Sequence, residues 1–203
     1  MEHPHDLSRL ELLAGDPALD FANTLEGPRG GRSLVDWLPD YDALLSWSGH
    51  AGLLDGEAAE ELRSLAGRRP SAAAAAHRDA VRLRAALRDS FGALAAGDRA
   101  PQAALAALLR AQRAAVAHAE LAPASGRYAV TWTSSGLGRP WWPVAQAAID
   151  LLRSDRLPRL KGCARCSWLF LDQTKNRSRR WCSMADCGTA EKLRRRAAAR
   201  VAQ

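Results

Sequence analysis

Cysteine is missing from the first 162 residues of this 203-residue chain, and all four cysteines lie in the last 45. The chain also lacks an apolar run near the roughly eighteen residues that a membrane-spanning helix needs, so we expect no membrane segment. The amino terminus has neither the basic start nor the apolar stretch of a secretion signal. Because thiols gathered in one short segment are typical of a reducing compartment, we predict a cytoplasmic protein.

Recognisable catalytic motifs are also lacking. The five histidines are scattered, and none lies in a nucleophile or metal motif. Gly30-Gly31-Arg32 is too short to form a phosphate-binding loop. Paired carboxylates in a convincing local arrangement do not occur in the sequence. We therefore predict that the protein is not an enzyme.

The four cysteines are spaced as a metal site. Two residues separate Cys163 from Cys166, four separate Cys182 from Cys187, and fifteen lie between the pairs. Each close pair can supply two thiolates from a tight turn, and the insert can fold back so that both pairs meet at Zn–S distances of roughly 2.3 Å. Two disulfides or four unrelated core thiols are the alternatives. We predict one structural zinc ion in a closed site with no open position for water.

The net positive charge of the chain is confined to the cysteine-bearing segment. Residues 159–203 contain twelve Lys and Arg against three Asp and Glu, a formal charge of +9, which leaves −2 for residues 1–158. Zinc with four thiolates carries about −2, so the segment remains strongly basic with the metal bound. This concentration favours a polyanionic partner, since phosphate neutralisation and counterion release drive such binding. A solvated basic face that only keeps the protein soluble is the alternative.

Helical periodicity runs through most of residues 1–155. Apolar residues recur there at three- and four-residue spacing, and the high alanine content favours closely packed helices. One segment, Arg127–Thr133, alternates and is rich in β-formers, which predicts a strand ending at the loop Ser134–Pro140. The extended Trp141-Trp142 is a candidate partner for that strand. The predicted helices cover residues 34–48 with a break at Pro39, 55–65, 71–96, the stretch after Pro101, and 143–152.

A hairpin and a helix are expected around the cysteines. Trp168–Leu171 reads as a strand, Gln173–Asn176 as a turn, and Arg177–Trp181 as the returning strand. A final helix is expected to begin at Ser183 or at Thr189. We therefore predict a mainly α fold, with a helical N-terminal domain (1–155) that contains a small β element. A treble-clef-like zinc finger (156–203) with a β-hairpin and a helix follows it.

The basic side chains of this finger are the candidate nucleic-acid ligands. They are Arg177, Arg179 and Arg180 in the expected hairpin, and Lys192, Arg194, Arg195, Arg196 and Arg200 in the expected helix. Trp168 and Trp181 could stack on bases of RNA or form the small core of the finger.

A polar cluster in an apolar stretch is a candidate ligand pocket in the N-terminal domain. Asp20, Asn23 and Thr24 are three and four residues apart, as on one face of a helix. A regulator would need such a pocket to receive a signal. Alternatively, these side chains satisfy backbone groups where helices meet.

The residues resemble a known family at two places. Cys166-Ser-Trp-Leu-Phe-Leu-Asp172 and Asn176–Gly188 resemble the CGNR zinc-finger family, and Gly15–Thr24 with Tyr41–Trp47 resembles the ABATE-type domain that precedes it. This resemblance implies a bacterial, stress-responsive transcription regulator whose zinc finger binds DNA. The chain departs from the family pattern after the fourth cysteine, where Cys187-Gly188-Thr189-Ala190 replaces Cys-Gly-Asn-Arg. Any contact made by that arginine is absent here.

Three functions thus remain open at this point. The first is a transcription regulator that contacts duplex DNA through the basic hairpin and the terminal helix. The second is a zinc-stabilised interaction module that docks on an acidic protein partner. The third is an oxidant sensor, because nearby arginines lower thiol pKa values in principle.

Overall fold

Helices dominate the structure. The computed structural model describes residues 7, 10–31, 34–133 and 136–201. The predicted mainly α fold is confirmed, and the described residues include no helix long and apolar enough to cross a membrane. The helices are α1 (Pro17–Ala22), α2 (Tyr41–His50), α3 (Gly56–Arg68), α4 (Pro70–Ala96), α5 (Gln102–Val116), α6 (Trp142–Leu152) and α7 (Thr189–Val201). The strands are β1 (Leu25–Glu26), β2 (Val35–Asp36), β3 (Glu120–Ala124), β4 (Arg127–Thr131), β5 (Leu160–Gly162) and β6 (Leu169–Leu171).

The long helix α4 is the centre of the packing. It contacts α1, α2, α3 and α5, and it also contacts strands β5 and β6 beside the cysteines. Leu83, Leu87 and Phe91 of α4 are buried, in keeping with the predicted apolar face. The buried residues form one cluster that includes Cys163 and Cys182. The hydrophobic core therefore continues from the helices into the cysteine-bearing segment.

The first helices are shorter than the sequence pattern predicts. Asp40 accepts a hydrogen bond from the backbone N–H of Ala43, so it caps α2, and the helix predicted from residue 34 begins only at Tyr41. Residues 35–36 instead pair with residues 25–26 as β2 and β1. Helix α1 ends at Ala22, so Asn23 is its C-cap and Thr24 lies beyond it. The prediction that the three polar residues share one face of a helix is therefore wrong.

The predicted strand near residue 130 exists, but it has a different partner. β4 pairs antiparallel with β3 through a turn at Ser125 and Gly126, where φ is 46° and 78°. Positive φ at both positions is the mark of the tight turns that join two adjacent strands. The proposed pairing with Trp141-Trp142 is wrong, because Trp142 begins α6. Of the loop expected at residues 134–140, Ser134 and Ser135 lie outside the described residues.

The end of that loop packs against the indole of Trp142. The indole stacks on His118 with 4.4 Å between ring centroids. A Cβ added to Gly138 would lie 2.4 Å from Trp142 Nε1, and one added to Gly136 would lie 2.3 Å from the same indole. Glycine at both positions thus lets the backbone approach the ring.

The finger contains a hairpin, but not the predicted one. β6 pairs antiparallel with β5, so the hairpin encloses the first cysteine pair. Residues 177–181 form no strand, and the predicted returning strand is wrong. Arg177 has a φ of 49°, which no strand residue adopts, and the carbonyls of Arg177 and Arg179 accept hydrogen bonds from the Lys161 ammonium. Of the two predicted starts of the final helix, α7 begins at Thr189, and Ser183 caps the π-helical turn Met184–Gly188 that precedes it.

Candidate metal centre and nucleic-acid interface

The four cysteines converge as the spacing predicts. Their sulfur atoms all lie within 4.8 Å of one another. The Cys166 and Cys182 sulfurs are 3.5 Å apart, and those of Cys182 and Cys187 are 3.6 Å apart. A zinc ion bound at about 2.3 Å by four sulfurs places them about 3.8 Å apart, so the spacing fits a tetrahedral ion. The cluster is the site of one structural zinc ion, and all four ligands come from this chain.

Electrostatics inside the cluster favour a bound cation. The pKa of Cys182 is raised, chiefly by its hydrogen bonds to Cys163 and Cys166 and then by burial. The pKa of Cys163 is lowered, because it accepts hydrogen bonds from Cys166 and Cys182. The four thiols therefore cannot all ionise side by side without a compensating charge. A divalent ion supplies that charge and holds all four as thiolates.

Asp172 organises the loop between the two cysteine pairs. Its carboxylate, which is fully buried, accepts hydrogen bonds from Lys161 Nζ (2.7 Å), Thr174 N (2.9 Å), Thr174 Oγ1 (2.6 Å) and Arg179 N (2.9 Å). Burial alone would raise the pKa of Asp172, but these hydrogen bonds hold it well below its ordinary value. Their contribution to stability is therefore present above about pH 4 and is lost as the pH falls. No local sequence pattern marked Asp172 for this role.

The segment after α1 holds the finger against the helical domain. Asn23 Nδ2 donates to the carbonyl of Leu169, and the amide of Leu169 donates to Asn23 Oδ1, both at 2.9 Å. Gly27 and Ser167 exchange two more hydrogen bonds, from Gly27 N to Ser167 Oγ and from Ser167 N to Gly27 O. These contacts join residues about 140 positions apart along the chain. Asn23 thus acts as an extra backbone partner for strand β6.

A carboxylate between two tryptophans reinforces this contact. Glu26 accepts a hydrogen bond from Trp37 Nε1 at 2.9 Å and another from Trp168 Nε1. Trp168 is buried, so it is a core residue of the finger, which was one of its two predicted roles. Trp181 is only partly buried, and the Arg180 guanidinium lies 5.2 Å from its ring centroid.

The other two members of the polar cluster also have partners within the fold. Asp20 Oδ1 accepts a hydrogen bond from Ala14 N at 3.0 Å, and burial raises the pKa of Asp20 to about 6. Thr24 Oγ1 donates to the carbonyl of Phe21 and accepts from Arg84 Nη1. Arg84 in turn forms two hydrogen bonds with the carboxylate of Asp36. The three side chains make the contacts that a structural role requires, and their role in a ligand pocket stays a prediction.

The predicted nucleic-acid residues lie in three different environments. Arg179 is half-buried, and its guanidinium donates to the carbonyls of Trp181 and Cys182. Arg194 and Arg195 are exposed, but both donate to the carboxylate of Glu191. A third group is exposed and forms no ion pair within the described part of the chain: Arg177, Arg180, Lys192, Arg196 and Arg200.

A helical domain joined to a closed four-thiolate site defines a zinc-finger protein of mainly α fold. Residues 159–200 match the CGNR zinc finger. Residues 15–155 match the ABATE family, which is described as a "putative stress-induced transcription regulator". The chain therefore belongs to the ABATE family and ends in a CGNR zinc finger. A search of curated proteins found no match. Membership supports a role in transcription regulation, and neither description is that of an enzyme family.

Chelation should unfold the finger. Zinc-finger peptides bind zinc with roughly 10–16 kcal/mol at neutral pH, and that binding energy is folding energy. We expect zinc removal to lower the melting temperature, measured by thermal denaturation with the zinc content determined on the same sample. Zinc affinity should fall as the pH falls, because each thiolate that releases the metal takes up a proton. An unchanged melting temperature in verified zinc-free protein would contradict a structural ion.

Replacement of Asn23 separates the structural role from the ligand role. We expect Asn23→Ala to lower the free energy of unfolding by about 1–3 kcal/mol, because the backbone of Leu169 loses both partners in a buried place. The exposed Asn176 provides the control, and Asn176→Ala should melt close to the parent. A ligand role predicts instead that Asn23→Ala melts normally and loses the thermal upshift caused by an effector in a metabolite screen. Both ideas fail if Asn23→Ala melts like the parent and no metabolite shifts either protein.

Proposed function

We propose that this protein regulates transcription by binding duplex DNA through the exposed cations of its zinc finger. In this proposal residues 1–155 are the scaffold and residues 156–203 bind the nucleic acid. The observation that carries it is the free cationic side of α7. Lys192, Arg196 and Arg200 follow one another at four-residue spacing, so they lie along one side of the helix. All three are exposed, and within the described residues none is paired with a carboxylate.

The paired arginines on the same helix contribute less to this surface. Arg194 and Arg195 both bind Glu191 at 2.8–3.0 Å. Hydrogen bonds from Arg194 and Arg195 lower the pKa of Glu191 to about 2, so its carboxylate stays charged and neutralises part of their field. A phosphate must compete with Glu191 for Arg194 and Arg195, whereas Lys192 and Arg196 pair with no carboxylate in the part of the chain that the structure describes.

Two arginines outside the helix extend the cationic surface. Arg177 and Arg180 are exposed in the segment that leads to the second cysteine pair. The guanidinium of Arg180 lies over the ring of Trp181, which orders it while its donors remain accessible. Arg179, between them, has its donors directed into the finger and is not part of the proposed surface.

Phosphate contacts, rather than base contacts, dominate in this proposal. At the start of α7 the hydroxyl of Thr189 donates to the carbonyl of Met184, and Ala190 follows. Neither side chain presents the two parallel donors with which arginine recognises guanine. We therefore expect little sequence preference from the first turn of the helix.

Single replacements on α7 test the proposal. Arg196→Ala should weaken binding to a short duplex and reduce the slope of log K against log salt by about 0.9, the value for one lost phosphate contact. Arg194→Ala removes the same charge from the same helix and serves as the control. We expect a smaller change, because Arg194 is already paired with Glu191. The measurement is a fluorescence-anisotropy titration of zinc-loaded protein at several salt concentrations.

Three results would count against DNA binding at this surface. One is the absence of duplex binding at low salt. Another is an affinity that does not change with salt, and the third is an equal effect of the two replacements. If the protein binds the duplex, selection of bound DNA from a random pool would reveal any sequence preference, since enrichment of one motif requires base contacts.

A groove on the same finger supports a second candidate function, which is docking of an acidic protein segment. The groove is about 450 Å³ in volume and lies between α7 and the turn that precedes it. Trp181, Met184 and Ala199 line it with apolar surface, and Met184 is 66% exposed. Its basic lining residues are Lys192, Arg195 and Arg196, of which Arg195 is paired with Glu191, a further lining residue. An apolar groove flanked by cations fits an amphipathic acidic helix better than it fits a phosphate backbone.

Met184 distinguishes this candidate from DNA binding. The probe is a labelled 16-residue helical peptide of Glu and Leu with leucines at three- and four-residue spacing, and a peptide with the same residues in scrambled order is its control. We expect Met184→Ser to weaken peptide binding and to leave duplex binding unchanged. Leu193 is 58% exposed and is not among the groove-lining residues, so Leu193→Ser should change neither. Equal binding of both peptides would show attraction by charge alone and would contradict the docking function.

A further inference from the structure

One arginine is bound to the first cysteine of each metal-binding pair. Arg29 Nη1 donates to the carbonyl oxygen of Cys163 at 2.7 Å. Arg179 Nη2 donates to the carbonyl oxygen of Cys182, and its Nε donates to the carbonyl of Trp181 at 3.0 Å. The two arginines come from different parts of the chain, since Arg29 follows β1 and Arg179 lies within the finger. At each half of the metal site a guanidinium N–H thus donates to the backbone carbonyl of a cysteine.

These contacts affect a metal site in two ways. A zinc ion with four thiolates has a net charge of about −2, so a nearby guanidinium stabilises the loaded state. A hydrogen bond to the carbonyl of a ligating residue also holds its peptide, and therefore its sulfur, in the direction that the ion requires. Partners of this kind typically change metal affinity by about 10–100-fold when they are removed.

Arg179 is held in a way that suits this role. It is half-buried, and its guanidinium carbon lies 4.3 Å from the centre of the Phe170 ring. Its backbone N–H donates to the buried carboxylate of Asp172. With the side chain packed on one residue and the backbone bound to another, Arg179 has one well-defined place beside Cys182.

Arg29 is exposed and belongs to the N-terminal part of the chain, but both its side chain and its backbone are bound to the finger. Its backbone N–H donates to the carbonyl of Arg165 at 3.0 Å, and the preceding Pro28 forms a β-bridge with Cys166. A Cβ on Gly162 would lie 3.2 Å from Arg29 Nη1, so the glycine leaves room for the guanidinium. The segment around Arg29 thus lies directly on the turn between Cys163 and Cys166.

We propose that Arg29 and Arg179 are positioning residues of the zinc site, and that the zinc affinity of the finger therefore depends on the N-terminal domain. Arg29 positions Cys163 in the first pair, and Arg179 positions Cys182 in the second. By thermodynamic linkage, zinc binding also stabilises the placement of the Arg29 segment. The proposal does not depend on DNA binding, because it concerns retention of the metal alone.

Zinc release from full-length protein tests this proposal. Zinc-loaded Arg29→Gln and Arg179→Gln are challenged with a chelator, and the released metal is followed with a zinc-sensitive dye. We expect about 10–100-fold weaker zinc binding in each variant. Arg177→Gln and Arg180→Gln are the matched controls, since they remove the same charge from the exposed neighbours of Arg179 and should retain zinc like the parent. Cobalt-substituted protein provides a second readout, because its visible spectrum reports the geometry of the four sulfurs.

The controls also define what would overturn the proposal. Equal zinc loss in all four variants would mean that net charge alone matters, and parental retention in Arg29→Gln and Arg179→Gln would rule out a positioning role. If a glutamine variant fails to fold, Arg29→Lys and Arg179→Lys replace it, as they keep the charge and lose the planar donor group. Parental zinc affinity and cobalt spectra in both lysine variants would contradict the role assigned to the guanidinium groups.

Discussion

The convergence of four sulfur atoms on one ion is the constraint on which the finger depends. Its hairpin has only three residues in each strand, and the segment between Asp172 and Cys182 has no sheet partner among the described residues. So little regular structure cannot order four thiols that repel one another when charged. The ion removes that repulsion and joins two turns that are distant in sequence. The buried Asp172 then supplies the carboxylate acceptors that the loop between them needs.

The helical domain completes what the ion begins. Asn23 extends the hydrogen bonding of β6. Glu26 accepts a hydrogen bond from the indole of Trp168, and Arg29 donates one to the carbonyl of Cys163. These three residues lie in one short segment that leaves α1 and runs along the finger. Helix α4 contacts the same hairpin from the core side. The basic finger is therefore bound to the helical domain through residues 23–29.

Charge in the finger has two different uses. The sequence concentrates cations there, but its composition does not indicate which of them face solvent. Arg179 is directed into the finger, whereas its neighbours Arg177 and Arg180 are exposed. On α7, Glu191 binds Arg194 and Arg195, whereas Lys192 and Arg196 form no ion pair among the described residues. Net charge therefore overstates the surface available to a polyanion, since some of these cations hold the finger together.

The sequence by itself determined the features that depend on neighbouring residues. Cysteine spacing indicated the metal ligands, and apolar periodicity indicated α4 and α5, because both signals act over a few residues. Only the tertiary structure decided which strands pair, and it replaced the expected strand at residues 177–181 with a loop around Asp172. The partners of Asn23 and Arg29 were likewise hidden, since they lie more than 130 positions away. A local pattern carries no information about such distant contacts, and packing of the whole chain selects them.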